Sequence, residues 1–318
     1  MIITLTLNPS IDYLYTIDHF QLGAQNRFEK PVRMVGGKGI NAGRTASILG
    51  SKVLTTGVLG GINGEIVRQF LTKEKFLQDF IEIDGETRNA ITIMHNNNIQ
   101  TEITEVGPFI NSKIEKNILN KLIKQCNSNP NVKVICLSGS VNSNNLKLYR
   151  EFINELQTNL NDDVKVLADI SREQLFDVLN SDIKPYFIKP NIHEFSEVVG
   201  TDIVTKEEII EQLNTSSLFD DIPFIVVSCG EKGAIAKYND VIYDLQIPNI
   251  KLINPTGSGD STVGGIAYGL DNGLEIEEIL KYAMAAGVAN AMEEAVGFIS
   301  VENVTKIKNQ VKITVIKE

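Results

Sequence analysis

The chain has 318 residues, enough for one large α/β domain or two smaller ones around a substantial core. Hydrophobic content of 42% and charged content of 22% are ordinary for a soluble globular protein, while a net charge of −10 excludes the basic footprint that nucleic-acid binding leaves. Three scattered cysteines and three scattered histidines give neither a CxxC pair nor the spacing of a zinc site.

The opening MIITLTLNPSIDYLYTI is apolar, but it has no basic start and is interrupted by Asn8, Pro9 and Asp12, so it is not a signal peptide. No apolar run approaches the ~18–20 residues of a membrane span, and a soluble, cytoplasmic protein is expected. Met1–Leu7 reads as a strand ending at the Asn8-Pro9 turn, and Ile11–Ile17 and Phe28–Val35 as short strands with polar residues at alternate positions. Gly39–Leu49 carries small and apolar residues at helical spacing and stops at Gly50. Val53–Leu59 is a buried type of strand and Gly64–Phe76 a helix. Thr87–His95 and Gln100–Val106 form another alternating pair, joined by a turn at Asn96-Asn97-Asn98.

Beyond residue 107 the rhythm becomes strand–helix. Helices marked by Ile114, Ile118 and Leu122, then by Leu148, Phe152 and Leu156, alternate with strands at Val132–Leu137, Val164–Ala168, Tyr186–Ile188 and Phe224–Ser228. This predicts an α/β fold of three layers, α/β/α, with a mostly parallel central sheet. The polar-sided early strands interrupt it as two insertions, so residues 1–10, 36–86 and 107–318 are expected to form the core and 11–35 and 87–106 a small β-sheet lid.

The first chemical motif is Asn254-Pro255-Thr256-Gly257-Ser258-Gly259-Asp260, read as a loop after a strand and before an apolar helix at Thr262–Leu270. Two glycines at a helix start leave N–H groups free to bind an anion. A carboxylate there can take a proton from a hydroxyl while the amides of Gly257, Ser258, Gly259 and Asp260 meet charge on a phosphoryl group. Asp260 as a plain helix N-cap is the simpler reading, although a cap does not require two glycines.

Gly-Ser-Gly-Asp late in the chain and Gly36-Gly37-Lys38-Gly39-Ile40-Asn41 early in it together resemble the ribokinase-like (PfkB) carbohydrate kinases. The likeness runs on through Asn8-Pro9-Ser10-Ile11-Asp12, Thr87-Arg88-Asn89, Ser138-Gly139-Ser140, Lys189-Pro190-Asn191 and Ser228-Cys229-Gly230, in the family's order and over nearly the whole chain. The resemblance implies Asp260 as general base, Asp12 and Asn41 as sugar ligands, and Gly36 and Gly37 as points of close backbone approach. It also implies phosphate binding by Arg27, Lys38 and Arg88, helped by Ser140. On the nucleotide side it implies ATP contacts from Lys189, Asn191, Ser228, Gly230, Gly233 and Asn290, the last on a helical stretch, Ala286–Asn290, that would border the adenine. Asn191 and Glu194 would hold Mg²⁺ through water, although Asn-x-x-Glu reads equally as a capping box.

Within the family, Gly85-Glu86-Thr87-Arg88-Asn89 and Gln100-Thr101-Glu102-Ile103 with Gly107-Pro108 are similar to tagatose-6-phosphate kinases. The implied substrate is a ketohexose phosphate, D-tagatose 6-phosphate, with fructose 1-phosphate, the substrate of 1-phosphofructokinases, as the alternative. The chain departs from the family at Val141-Asn142-Ser143-Asn144, where Leu-Pro usually follows Ser-Gly-Ser, and from tagatose-6-phosphate kinases at Ala90, where they tend to have cysteine. Exposed edges of the lid sheet make a homodimer an expectation. Gly37-Lys38-Gly39-Ile40-Asn41-Ala42 also satisfies G-x-G-x-x-A, but the next strand ends at Leu59-Gly60-Gly61 without the acidic residue an NAD(P)-dependent oxidoreductase needs. A non-catalytic sugar-phosphate sensor would be expected to lose Asp260 or its glycines, and both are present.

Overall fold

A computed structural model describes residues 1–96, 99–170 and 172–317. In chain order the elements are β1 (Ile2–Thr6), β2 (Ser10–Thr16), β3 (Val32–Gly36), α1 (Lys38–Ile48), β4 (Val53–Leu59), α2 (Gly61–Leu71), β5 (Leu77–Glu82), β6 (Arg88–His95) and β7 (Ile99–Thr104). Next come α3 (Ser112–Asn127), β8 (Val134–Ser138), α4 (Leu148–Asn159), β9 (Lys165–Asp169), α5 (Arg172–Leu179), β10 (Phe187–Ile188), α6 (Ile192–Val199), α7 (Lys206–Thr215) and β11 (Phe224–Ser228). The chain closes with β12 (Ala234–Tyr238), β13 (Val241–Gln246), α8 (Ser258–Asp271), α9 (Ile276–Ala291), α10 (Val301–Lys308) and β14 (Lys312–Lys317).

The strand–helix alternation builds a ten-stranded sheet in the order β14-β13-β12-β11-β10-β9-β8-β1-β4-β5, parallel from β11 to β5. Its central strands bury both faces. Ile2 of β1 packs into one apolar cluster with residues of α1, α2, α8, α9 and α10, while Ile3 and Leu5 pack into a second with residues of α3 to α7. The chain runs outward from β1 to β4 and β5, then returns to β8 on the other side of β1, so the order reverses beside β1 and opens a crevice at the carboxyl ends of these strands. Helices α8 and α9 approach closely because of small residues: a Cβ on Gly265 would lie 2.7 Å from the Ala283 Cα, and one on Gly287 2.4 Å from the Thr262 Oγ1.

The two insertions pair with each other. β3-β2-β6-β7 form a separate four-stranded sheet, with β2 parallel to β6 and antiparallel to β3. The turn between β6 and β7 begins at Asn96, with φ 45°; Asn97 and Asn98 lie outside the described residues.

Two local expectations change. The antiparallel extension β12-β13-β14 on the main sheet does not follow from the strand–helix rhythm. The glycine loop before α8 also does not follow a strand directly, since β13 stops at Gln246 and residues 247–257 form no strand or helix. Pro248 and Pro255 remove two backbone donors from that segment.

Candidate active site

Gly257 occupies the N-cap of α8 with φ 80°, and a Cβ there would lie 2.3 Å from the Val296 Cγ1. Ser258 and Gly259 are then the first helical residues, which makes Asp260 the third rather than the cap. Its Oδ2 accepts a hydrogen bond from the Asn41 Nδ2 at 2.8 Å. Burial and then the charge of Asp169 raise the Asp260 carboxyl from 3.8 to about 6, against the opposing influence of Lys38, Asn41 and Lys189. A carboxylate held near neutrality at the positive end of a helix, beside amides without intrahelical acceptors, suits proton removal next to an anion.

Two lysines flank this loop and share one buried carboxylate. Lys38 is the first residue of α1 and Lys189 follows β10; their Nζ atoms lie 3.5 and 3.7 Å from the Oδ1 of Asp169 at the end of β9. Burial works to raise the Asp169 carboxyl, but the two ammonium groups outweigh it and hold it below the usual range. Asp169 in turn raises Lys38, fixing its charge. Lys189 also explains Gly259, because a Cβ there would come within 3.0 Å of the lysine Nζ. The segment carrying Ser140 is fixed behind this group: Gly139 donates its N–H to the Asp169 carbonyl at 3.0 Å, and its own carbonyl accepts from the Tyr149 hydroxyl at 2.8 Å.

Among the residues expected to meet the sugar, Asp12 on β2 accepts from the Ser10 Oγ at 2.6 Å. Burial raises its carboxyl, opposed by Ser10, Arg88 and Arg44. Gly36 is required by this side chain, since a Cβ at 36 would fall 1.9 Å from the Asp12 Oδ2; Gly37, with φ 121°, caps α1. Arg88 donates to the carbonyls of Asn8 and Glu105, each at 3.3 Å, and the Asn8 amide reaches Val106 O at 2.9 Å and Ser140 Oγ at 3.5 Å. The fold therefore gathers Asp12, Arg88, Ser140 and Lys38 around the end of β1. Arg27 lies apart from them, exposed in the β2–β3 connection, where it hydrogen-bonds Gln25 at 3.4 Å.

Among the residues expected to meet the nucleotide, Asn191 and Glu194 form a complete capping box for α6, the Asn191 Oδ1 accepting from the N–H groups of His193 and Glu194 while the Glu194 Oε2 accepts from the Asn191 N–H. Among the described residues no three His, Cys, Asp or Glu side chains cluster to hold a metal. The donors nonetheless suit magnesium held through water. Glu194 uses only Oε2 in its cap, its charge reaches Lys38, and oxygen ligands match a hard cation that keeps its waters. Ser228 bridges to Asn191 beside this cap. Gly230 has φ 58° and Gly233 φ 87°; a Cβ on Gly233 would lie 2.0 Å from the Leu245 carbonyl, so that glycine answers to the approach of β13.

Asn290, expected beside the adenine, has its side chain bonded inside the protein. It is 1% exposed, donates to Thr256 O at 2.8 Å, and accepts from Gly297 N at 2.7 Å and Ser261 Oγ at 3.2 Å. It fastens the start of the glycine loop, and its neighbours Ala286 and Gly287 are buried packing residues of α9.

The pfkB family carbohydrate kinase pattern matches residues 5–302. The chain belongs to this family. Among curated PfkB proteins, tagatose-6-phosphate kinases from two strains of Staphylococcus epidermidis are each 38% identical over 314 residues, covering 98% of this chain and 99% of theirs. A putative phosphofructokinase of known structure from Staphylococcus aureus is 30% identical with a TM-score of 0.81, covering 100% of this chain and 99% of its own. A possible 1-phosphofructokinase from Thermotoga maritima is 23% identical with a TM-score of 0.87, covering 99% of each chain, and shares the fold. Within this PfkB site, Asp169, Arg44 and Tyr149 were not legible as site residues. The only signals were an aspartate closing an apolar strand, one cation inside Ala42-Gly43-Arg44-Thr45-Ala46, and a tyrosine at an apolar helix position.

Proposed function

We propose that the protein is an ATP-dependent kinase that converts D-tagatose 6-phosphate to D-tagatose 1,6-bisphosphate, with Asp260 as general base. The observation that carries the chemistry is Asp260 in the first turn of α8, held by Asn41 and raised to about 6. The 38% identity to tagatose-6-phosphate kinases over nearly the full length supports the sugar.

Asp260 removes the proton of the C1 hydroxyl as that oxygen bonds to the γ-phosphorus of ATP and the bond to the bridging oxygen breaks, releasing ADP. The amides of Gly259 and Asp260 and the Lys189 ammonium meet the charge on the transferring group. Arg88, Ser140 and Lys38 bind the distal phosphate, and Asp12 and Asn41 the sugar hydroxyls, so the acceptor arrives in register. Magnesium, when bound, neutralises charge on the nucleotide phosphates; Asn191 and Glu194 would hold it through water. The sheet β3-β2-β6-β7 acts as a lid over the sugar. Its edge strand β7 exposes Ile99 and Ile103, at 52% and 55%, which supports a dimer contact through this sheet.

An ADP-release assay tests the assignment with tagatose 6-phosphate, fructose 6-phosphate and fructose 1-phosphate. Tagatose 6-phosphate should give the highest kcat/KM. A preference for fructose 1-phosphate would favour a 1-phosphofructokinase, and the residue 141–144 segment, where Asn142 bonds the Gly107 carbonyl at 2.8 Å, would be the place to look for its cause.

A further inference from the structure

Arg44 is among the largest fully buried side chains of the described residues, 1% exposed, and lies one turn beyond Asn41 on α1. Its Nε donates to Glu74 Oε1 at 2.8 Å and its Nη2 to the Val35 carbonyl at 3.2 Å. Its Nη1 donates both to the Val296 carbonyl at 3.0 Å and to the Asn41 Oδ1 at 2.9 Å. The guanidinium carbon sits 4.6 Å from the Phe298 ring centre. Gly297 leaves the room this needs, because a Cβ there would stand 3.0 Å from Nη1. One cation thus ties α1 to the end of β3, next to the Asp12–Gly36 contact, and to the turn that Asn290 holds.

The chemistry of the three groups in line is directional. A guanidinium has only donors and keeps its charge at every working pH, whereas an ionised carboxylate has only acceptors. The amide between them can satisfy both in one orientation, oxygen toward Arg44 and NH₂ toward Asp260. We propose that Arg44 is a positioning residue for the reaction: it locks the Asn41 amide so that its NH₂ faces Asp260 and thereby favours the ionised, proton-accepting form of that carboxylate. A protonated Asp260 would need an acceptor for its own O–H, and the group that Asn41 turns toward it is an NH₂, which only donates. The other charged groups around Asp260 are Lys38 on α1, Lys189 after β10 and Asp169 on β9; the first two favour ionisation and the third opposes it. The proposal rests on Asp260 being the base.

The test follows the ¹³Cγ resonance of Asp260, assigned with Asp260→Asn, through a pH titration of the free full-length protein, together with the pH profile of kcat. Arg44→Lys keeps a cation but not the fork that spans Asn41, Val296 and Val35. Its Asp260 titration and the acid limb of its kcat profile should both move up by about half to one pH unit, with KM for ATP within about twofold of the parent. Glu74→Gln loosens the same arginine from outside and should leave the titration in place. An unmoved Asp260 in Arg44→Lys, or an equal shift in Glu74→Gln, overturns the relay. If Arg44→Lys fails to fold, Asn41→Leu leaves the bonds of Arg44 to Glu74, Val35 and Val296 and should give the same upward shift; no shift there overturns it too. Near-normal turnover by Asp260→Asn removes the base assignment instead, whatever the titration of the Arg44 variant shows.

Discussion

Asp260→Asn separates what the carboxylate does for turnover from what it does to the fold. Burial and the charge of Asp169 push the carboxyl up from its ordinary 3.8 to about 6 in the folded protein. Between those values the folded state holds a proton that the unfolded state has released, so this group's contribution to stability declines as pH rises through that window. Above it both states are ionised and the fold bears the full cost, at most about 3 kcal/mol for a gap of roughly two pH units. Replacing the carboxylate with a neutral amide of the same shape removes that cost. At pH 8 the variant should be more stable than the parent by about 1–3 kcal/mol, a few degrees in Tm for a chain of this length, with the advantage falling to roughly a third of that at pH 4.5. Paired thermal melts at the two pH values, with ADP release from saturating sugar phosphate and ATP, give the answer. Turnover should fall by several orders of magnitude while both ligands still bind. A variant that melts below the parent at pH 8, or whose advantage is the same at pH 4.5, would refute the assignment of a desolvated, raised carboxyl.

The same value sets the kinetic profile: kcat with both substrates saturating should be flat above about pH 7 and fall about tenfold per unit below about 6. A profile flat down to pH 4.5 would mean that the base titrates like an ordinary aspartate. Gly36→Ala places a methyl where the Asp12 Oδ2 now sits, so KM for the sugar phosphate should rise at least about tenfold with KM for ATP unchanged; an unaltered sugar KM would detach Asp12 from the substrate.

The central sheet was legible because its strands are short apolar runs separated by helical spacing, and burial on both faces leaves that mark on a sequence. β12 to β14 were less so. Their pairing is antiparallel and comes late, and β14 returns to the sheet only after three helices. Asp260 was visible from its glycines, yet its place inside the helix depends on Gly257 taking the left-handed conformation, which the letters allow without requiring. What Asn290 does inside the protein was not legible either, because a polar residue on an apolar helix looks the same whether it meets a ligand or closes internal hydrogen bonds. Arg44 was hidden for the converse reason. A cation in a helix is usually solvated, and apart from Asn41, one turn away on α1, its partners Val35, Glu74 and Val296 are brought to it by the fold.

The parallel pairing of β2 with β6 joins residues 10–16 to residues 88–94. During synthesis β2 emerges early but can find this partner only after β4, α2 and β5 have been made, and the closing of so long a loop is a slow, entropically costly event. The sheet carrying Asp12 and Arg88 is therefore assembled across the first third of the chain and cannot form as a local hairpin. A nascent fragment ending before residue 88 would have the first parallel strands of the main sheet and a β2–β3 ribbon whose β2 edge lacks its partner, a surface open to mispairing until β6 arrives.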